Sequence, residues 1–242
     1  MKKITPDVAE QLADKMRSML RVSSVEPINM KTTLRQLNIL TVYRPMSKNI
    51  FGLSLKSADE KKFILINCNA TRGRQHFTIA HELYHLYYDE NPKPHFCIDS
   101  QSKDPSEYSA DMFASALLLP HLALATNIPW KELKNGTVSV DSALRLEQLF
   151  GVSHSTFVYR LKSLKIVTAS TAEALLNISV RHEAVLRGYD LSLYHNGNEG
   201  LVLGDYGVKA KKLFDEEKIS EGHYWELMKK IGYGEGEDYS GR

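Results

Sequence analysis

Apolar positions along the chain recur first at helical and then at strand spacing. Val8, Leu12, Met16 and Leu20 follow Thr5 and Pro6 in steps of four. This predicts a helix over 6–21, with Thr5 as N-cap and Pro6 in its first turn. After Pro27 and Asn29 a short helix is expected over 31–37. Three β-rich runs follow, at 39–43, 50–55 and 62–68, with Pro45 and Ser57-Ala58-Asp59 as turns between them. Read in succession, they predict an antiparallel meander. Residues 77–88, Phe-Thr-Ile-Ala-His-Glu-Leu-Tyr-His-Leu-Tyr-Tyr, contain neither Gly nor Pro and are apolar on several sides. A helix of that kind is buried, and it can run from about residue 71 to 88.

The pattern then breaks. Residues 89–106 are polar, with Pro92, Pro94 and Pro105, and predict a loop long enough to form a substrate lid or a disordered connection. A second helix runs from Glu107 to the stop at Pro120. Val140–Phe150, Gly151 and a helix capped by Ser153 and reaching about Leu164 resemble a helix-turn-helix. Its expected core residues are Leu144, Leu149, Val152, Phe157 and Leu161. Beyond it, 168–185 reads as helical. Strands are expected at 186–194 and 201–203 around Asn196-Gly197-Asn198, and helices at 208–214 and 220–231. The Gly- and acid-rich residues 232–242 are expected to fray.

Composition narrows the class. Apolar content of 43% and charged content of 25% suit a soluble globular protein. A net charge of +2 argues for neither nucleic acid nor an acidic partner. Cys68 and Cys97 alone make no disulfide framework. Lys2 and Lys3 precede no apolar segment, and no run of about 18 apolar residues occurs. The reading is a cytoplasmic protein without a membrane span.

The chemistry concentrates in His81-Glu82-Leu83-Tyr84-His85. On a helix, His81 and His85 stack about 6 Å apart on one face, the spacing at which two imidazoles hold one zinc ion. Glu82, roughly 100° round the helix, can reach a water on the same ion and act as general base. With 9 His in the chain, chance would produce the pattern roughly 0.02 times. Catalytic zinc takes three protein ligands. Glu107 is the best third, because Ala110 and Ala114 on its face let two helices approach. Asp111, one turn on, can accept the second ring N–H of a ligand histidine. Cys97 falls in the predicted loop and reads as an ordinary thiol, with a redox or inhibitory metal ligand as the alternative. Arg160, Lys162 and Lys165 make the second helix of the helix-turn-helix-like unit basic. Three basic residues are thin support for DNA contact, and the unit reads as a packing element. His121, His154, His182, His195 and His223 lack a partner at metal spacing.

The stretch Arg74-Gln-His-Phe-Thr-Ile-Ala-His-Glu-Leu-Tyr-His-Leu, followed by Glu107-x-x-Ala-Asp-x-Phe-Ala-x-x-Leu-Leu-Leu-Pro120, resembles the ImmA/IrrE family of metallopeptidases. The resemblance covers about residues 5–167 and is specific at the two motifs. It implies an α+β, gluzincin-like core with a small antiparallel sheet packed on the zinc-site helices. It also implies zinc on His81, His85 and Glu107, Glu82 as general base, and cleavage of a helix-turn-helix repressor that releases mobile-element or stress genes. On this reading residues 1–125 form the metallopeptidase core, 126–167 the helix-turn-helix-like unit and 168–242 a C-terminal α/β region. Two departures stand out: Tyr84 where the family often has Gly, and Asp111 where it often has Asn. A second donor to the substrate oxyanion is expected from Tyr84, Tyr88, Arg74 or His121. The competing reading is a regulatory or toxin–antitoxin module that grips a transcription factor or DNA without cutting anything.

Overall fold

The computed structural model describes residues 3–89, 95–98 and 104–233. The expected fraying of 232–242 therefore falls almost wholly outside the described residues, as does most of the expected loop at 89–106. The first helix, α1 (Pro6–Leu20), starts as predicted, with the Thr5 side chain accepting from the Val8 amide. After α2 (Met30–Gln36) come β1 (Leu40–Arg44), β2 (Ile50–Lys56) and β3 (Lys62–Asn67), then the long α3 (Arg72–Tyr88). A short strand, β4 (His95–Ile98), precedes α4 (Pro105–Leu118), α5 (His121–Asn127) and α6 (Trp130–Asn135). The helix-turn-helix-like unit is α7 (Val140–Phe150) and α8 (His154–Ser163), joined through Gly151 at φ 65°. The remainder is α9 (Ala169–Leu176), α10 (Val180–Leu186), β5 (Val202–Leu203), α11 (Tyr206–Asp215) and α12 (Glu221–Lys230).

The fold is α+β, but its sheet is not the expected meander. The five strands run in the order β4-β2-β3-β1-β5. β1 pairs with β3 in parallel, Leu40 opposite Phe63 through Arg44 opposite Asn67, whereas β2 and β3 form an antiparallel hairpin. The chain must cross the end of β3 between β1 and β2, and Asn67 fastens that crossing. Its side-chain amide donates to the carbonyls of Ser47 (3.1 Å) and Ile50 (2.7 Å), and its oxygen accepts from the Met46 amide at 3.0 Å. β3 is consequently central, with Ile64 and Ile66 fully buried, in keeping with its near-continuous apolar run.

Two further expectations change. β4 lies inside the segment predicted as loop and pairs antiparallel with β2, placing Cys97 opposite Gly52. The strand expected at 186–194 is instead the end of α10 and a 3-10 turn at Ser192–Tyr194. β5 pairs with β1, Thr41 opposite Leu203, so it joins the sheet rather than a local hairpin.

α3 packs between the sheet and α4. Ile79, Ala80 and Leu83 on α3 and Ala110, Phe113, Ala114 and Leu117 on α4 are fully buried. A buried Ile, Leu or Phe contributes about 1.5–3 kcal/mol through burial, and the three alanines let the helix axes close up. Pro105–Asn127 is long and apolar enough for a membrane span, yet 61% of its most apolar window is buried in the protein. Pro120 divides it into α4 and α5, and its apolar face is core. Residues 195–203 also hold the start of α3. The Arg72 amide donates to the His195 carbonyl at 2.8 Å. The buried Gln75 amide donates to the Gly197 carbonyl at 3.0 Å and accepts from Asn198 at 2.8 Å. In α7–α8, Leu149 is 43% exposed, while Leu146 and Phe150 take the core positions. Arg160 faces inward, bonded to the Leu119 carbonyl and paired with Glu10.

Candidate metal centre

Two capped helices bring the site together. α3 begins at Thr71, whose hydroxyl accepts from the Arg74 amide, and carries His81 and His85 one turn apart with ring centroids at 5.0 Å. α4 begins at Asp104, which accepts from the Ser106 amide, with Pro105 in its first turn. That start places Glu107 in the first turn of α4, facing both histidines. The His81 and His85 Nε2 atoms are 3.2 Å apart. Glu107 Oε2 lies 3.4 Å from His81 Nε2, and Glu107 Oε1 lies 3.2 Å from His85 Nε2.

These separations test whether a metal fits. Two donors at about 2.05 Å on one tetrahedral zinc are about 3.3 Å apart. The observed distances of 3.2, 3.2 and 3.4 Å match without rearrangement. Each imidazole is also oriented from behind. His81 Nδ1 is 2.9 Å from Asp111 Oδ1, and His85 Nδ1 is 3.1 Å from Asp89 Oδ2. Asp89 in turn accepts from the Ser106 hydroxyl at 2.9 Å. A carboxylate on Nδ1 fixes the tautomer that leaves Nε2 free to bind an ion.

Glu82 lies beside this triad, 0% exposed, and neither carboxylate oxygen has a hydrogen-bond partner among the described residues. A buried carboxylate without donors is costly unless a cation or a proton accompanies it. Gly52 on β2 faces it, and an added Cβ there would stand 3.5 Å from Glu82 Oε1, an ordinary van der Waals contact. Cys97, opposite Gly52 on β4, is buried as well, and burial pushes its thiol up to about 11. His81 shows opposing influences. Burial resists its protonation, but the Asp111 hydrogen bond, with Cys97, Glu107 and Glu82 close by, raises its pKa well above the ordinary imidazole value. The site is therefore strongly electronegative and suited to a cation.

The family model of peptidase M78, the IrrE N-terminal-like domain, matches residues 34–162. The chain belongs to this family. No curated protein matches it. The IrrE-like segment runs from the middle of α2 through nearly all of α8, and so includes every residue of the triad, Glu82 and both orienting aspartates. Its members are metal-dependent peptidases, which agrees with a donor set of two imidazoles and a carboxylate.

The four expected oxyanion donors of this IrrE-like site lie in different surroundings. Tyr84 is in the core, its ring 5.7 Å from Phe113 and edge-on to His85. The Tyr88 hydroxyl donates to the Leu12 carbonyl on α1 at 3.2 Å. His121 is solvent-exposed at the first position of α5. Arg74 lies two turns before His81 on the same face of α3, stacked 4.1 Å from the Phe51 ring centroid. Asp89 and the placement of Cys97 were not read from the sequence. Asp89 had a signal, being four residues after His85. Cys97 had none, since its position depends on pairing between β4 and β2.

Proposed function

We propose that this chain is a zinc-dependent endopeptidase, that His81, His85 and Glu107 hold the zinc, and that its substrate is a helix-turn-helix repressor. The observation that carries this reading is the triad at 3.2–3.4 Å beside a buried, unpartnered Glu82 carboxylate. Two His and one Glu favour zinc over harder cations. Bound there, the ion supplies Lewis acidity to a peptide carbonyl and makes a water more acidic. Glu82 takes the proton from the attacking water and returns it to the leaving nitrogen. Asp111 and Asp89 keep the imidazoles oriented throughout. Arg74 is assigned to assist the carbonyl oxygen because it lies two turns before His81 on the same face of α3, whereas the Tyr88 hydroxyl donates to the Leu12 carbonyl. A repressor is favoured over DNA as the partner because Arg160, the first basic residue of α8, is turned into the core. Two unbridged cysteines suit a reducing cytoplasm.

The test uses metal analysis together with cleavage of the repressor encoded beside the gene. Wild type is expected to bind one zinc per chain and cut the repressor. Glu82→Gln is expected to keep the zinc and lose about 10²–10⁴ in rate. Wild-type cleavage by Glu82→Gln refutes the mechanism. Zinc binding without cleavage by either protein favours the non-catalytic binding module.

A further inference from the structure

We propose that Phe51 is the positioning residue for Arg74: its ring, re-aimed by a β-bulge, holds the guanidinium flat beside the metal centre with its donors turned to the substrate carbonyl. The inference rests on the peptidase reading above and deepens it, by naming what fixes the donor assigned there. A charged donor lowers a barrier most when it is already oriented before charge develops on the substrate. The arginine fork is planar and rigid, but its stem is long and flexible, so something must set the plane.

Three observations carry it. The first is the ladder between β2 and β4. Ile50 stands opposite Ile98 and Gly52 opposite Cys97, so β2 advances two residues where β4 advances one. Phe51 is the extra residue of a bulge, and bulges re-aim side chains. Successive residues of a regular strand face opposite sides. Here a Cβ on Gly52 would meet Thr78 and Glu82 on α3, and the ring of the adjacent Phe51 meets Arg74 on the same helix. The second is the stack itself. The Arg74 guanidinium carbon lies 4.1 Å from the Phe51 ring centroid and 5.6 Å from that of Phe77. Arg74 Nε is buried without a hydrogen-bond partner among the described residues, and the two rings are what set its plane. The third is location. Arg74 lies two turns before His81 on α3. Its charge acts on the Cys97 sulfur, which is within 4.8 Å of a His81 nitrogen and a Glu82 oxygen.

A ring suits this task better than an acid would. The phenyl face attracts the cation and leaves the N–H groups in the guanidinium plane unused. A carboxylate in place of Phe51 would engage those same N–H groups in charge-assisted hydrogen bonds and withdraw them from the substrate. The two rings also differ in what they anchor. Phe77 belongs to the same helix as Arg74 and moves with it. Phe51 belongs to β2, so it is the ring that ties the guanidinium to the sheet.

Two measurements on the full chain test this. The first is proton–nitrogen NMR of the metal-free protein, with the Arg74 Nε–H resonance identified by its loss in Arg74→Gln. That resonance is expected to be shifted upfield by the Phe51 ring and to return to the ordinary arginine position in Phe51→Leu. The second is kinetics of the zinc-loaded protein on the repressor encoded beside the gene. Phe51→Leu is expected to keep one zinc per chain and lose about 2–30-fold in kcat, with KM nearly unchanged. Phe51→Tyr, which retains the ring, is expected to keep the wild-type rate. Arg74→Gln should lose about 10²–10³ in kcat, and adding Phe51→Leu to it should cost nothing more. Should Phe51→Leu fold poorly, Phe51→Met removes the ring in its place. A residue that only packs would cost the same in both backgrounds, and that result overturns the proposal. An unshifted Nε–H resonance in the wild type overturns it too. Either outcome leaves the peptidase reading intact, whereas a wild type that binds no zinc or cuts no repressor overturns both.

Discussion

Gly52→Ala perturbs the packing of β2 against α3 beside Glu82, and the structure sets the magnitude of its effect. The added Cβ would stand 2.6 Å from Thr78 Cγ2 and 3.2 Å from the Leu65 carbonyl oxygen. Two terms oppose each other. Replacing Gly by Ala inside a strand recovers about 0.5–1 kcal/mol of backbone entropy. Overpacking of a tight core costs about 1–3 kcal/mol. Thr78 projects from α3 against the sheet and is fully buried, so the methyl cannot swing into solvent. The overpacking term therefore dominates, for a net loss of about 1–2 kcal/mol. Relief comes by moving α3 away from β2, which carries Glu82 and the two histidines with it. Thr78→Ser removes the clashing methyl at its own cost of about 0.8 kcal/mol. In that background the tight contact with the Leu65 carbonyl remains, and Gly52→Ala should cost clearly less than in the wild type. Urea unfolding of the four proteins gives the cycle, with the midpoint shifting and the slope unchanged. The expected coupling is about 1–2 kcal/mol, within the range seen for residues in contact. Equal destabilisation by Gly52→Ala in both backgrounds would show that Thr78 is not what the new methyl meets, and the packing argument would fail.

Two further outcomes follow from the same geometry. Asp111→Ala should weaken zinc affinity by about 10–100-fold without altering the ligand set. Competition with a chromophoric chelator reads this directly, and unchanged affinity would exclude Asp111 as the group that orients His81. His154 is opposed by burial, but the Glu147 carboxylate at 2.6 Å raises its pKa above 6.5. A raised folded-state pKa gives stability that is fully present below pH 6.5 and is lost as pH rises through the folded value. Thermal midpoints should fall over that window in wild type and remain flatter in Glu147→Gln; parallel curves would contradict the pairing.

The centre was more legible in the sequence than the sheet. Thr71, the absence of helix breakers in 77–88 and the four-residue spacing of the histidines are local signals, and α3 starts and ends as they indicate. Glu107 and Asp111 were readable because small residues on their face of α4 announce a close helix neighbour. The partition of labour was less visible. Asp111 serves His81 alone, and Asp89 serves His85 from the point where the chain leaves α3. Strand order escaped because runs of similar composition carry no address. What sets β1 beside β3 is the crossing fastened by Asn67, and that is tertiary. Leu149 and the 186–194 stretch were misread because apolar residues near helix ends have the same composition whether they face the core or not. β4 was invisible among prolines and charges, since four residues become a strand only when β2 offers an edge.

The clasp of residues 195–203 on the start of α3 and on β1 has a consequence for synthesis. A nascent chain that has emerged only through the family segment leaves the Gln75 amide half satisfied and one flank of β1 open to water. Both are completed only after Leu203 has left the ribosome. Prematurely terminated products thus carry the histidines and the glutamates on an α3 whose start lacks the contacts of Gly197 and Asn198 with Gln75. The start of the helix that carries both histidines is thus completed by a segment more than a hundred residues further along the chain.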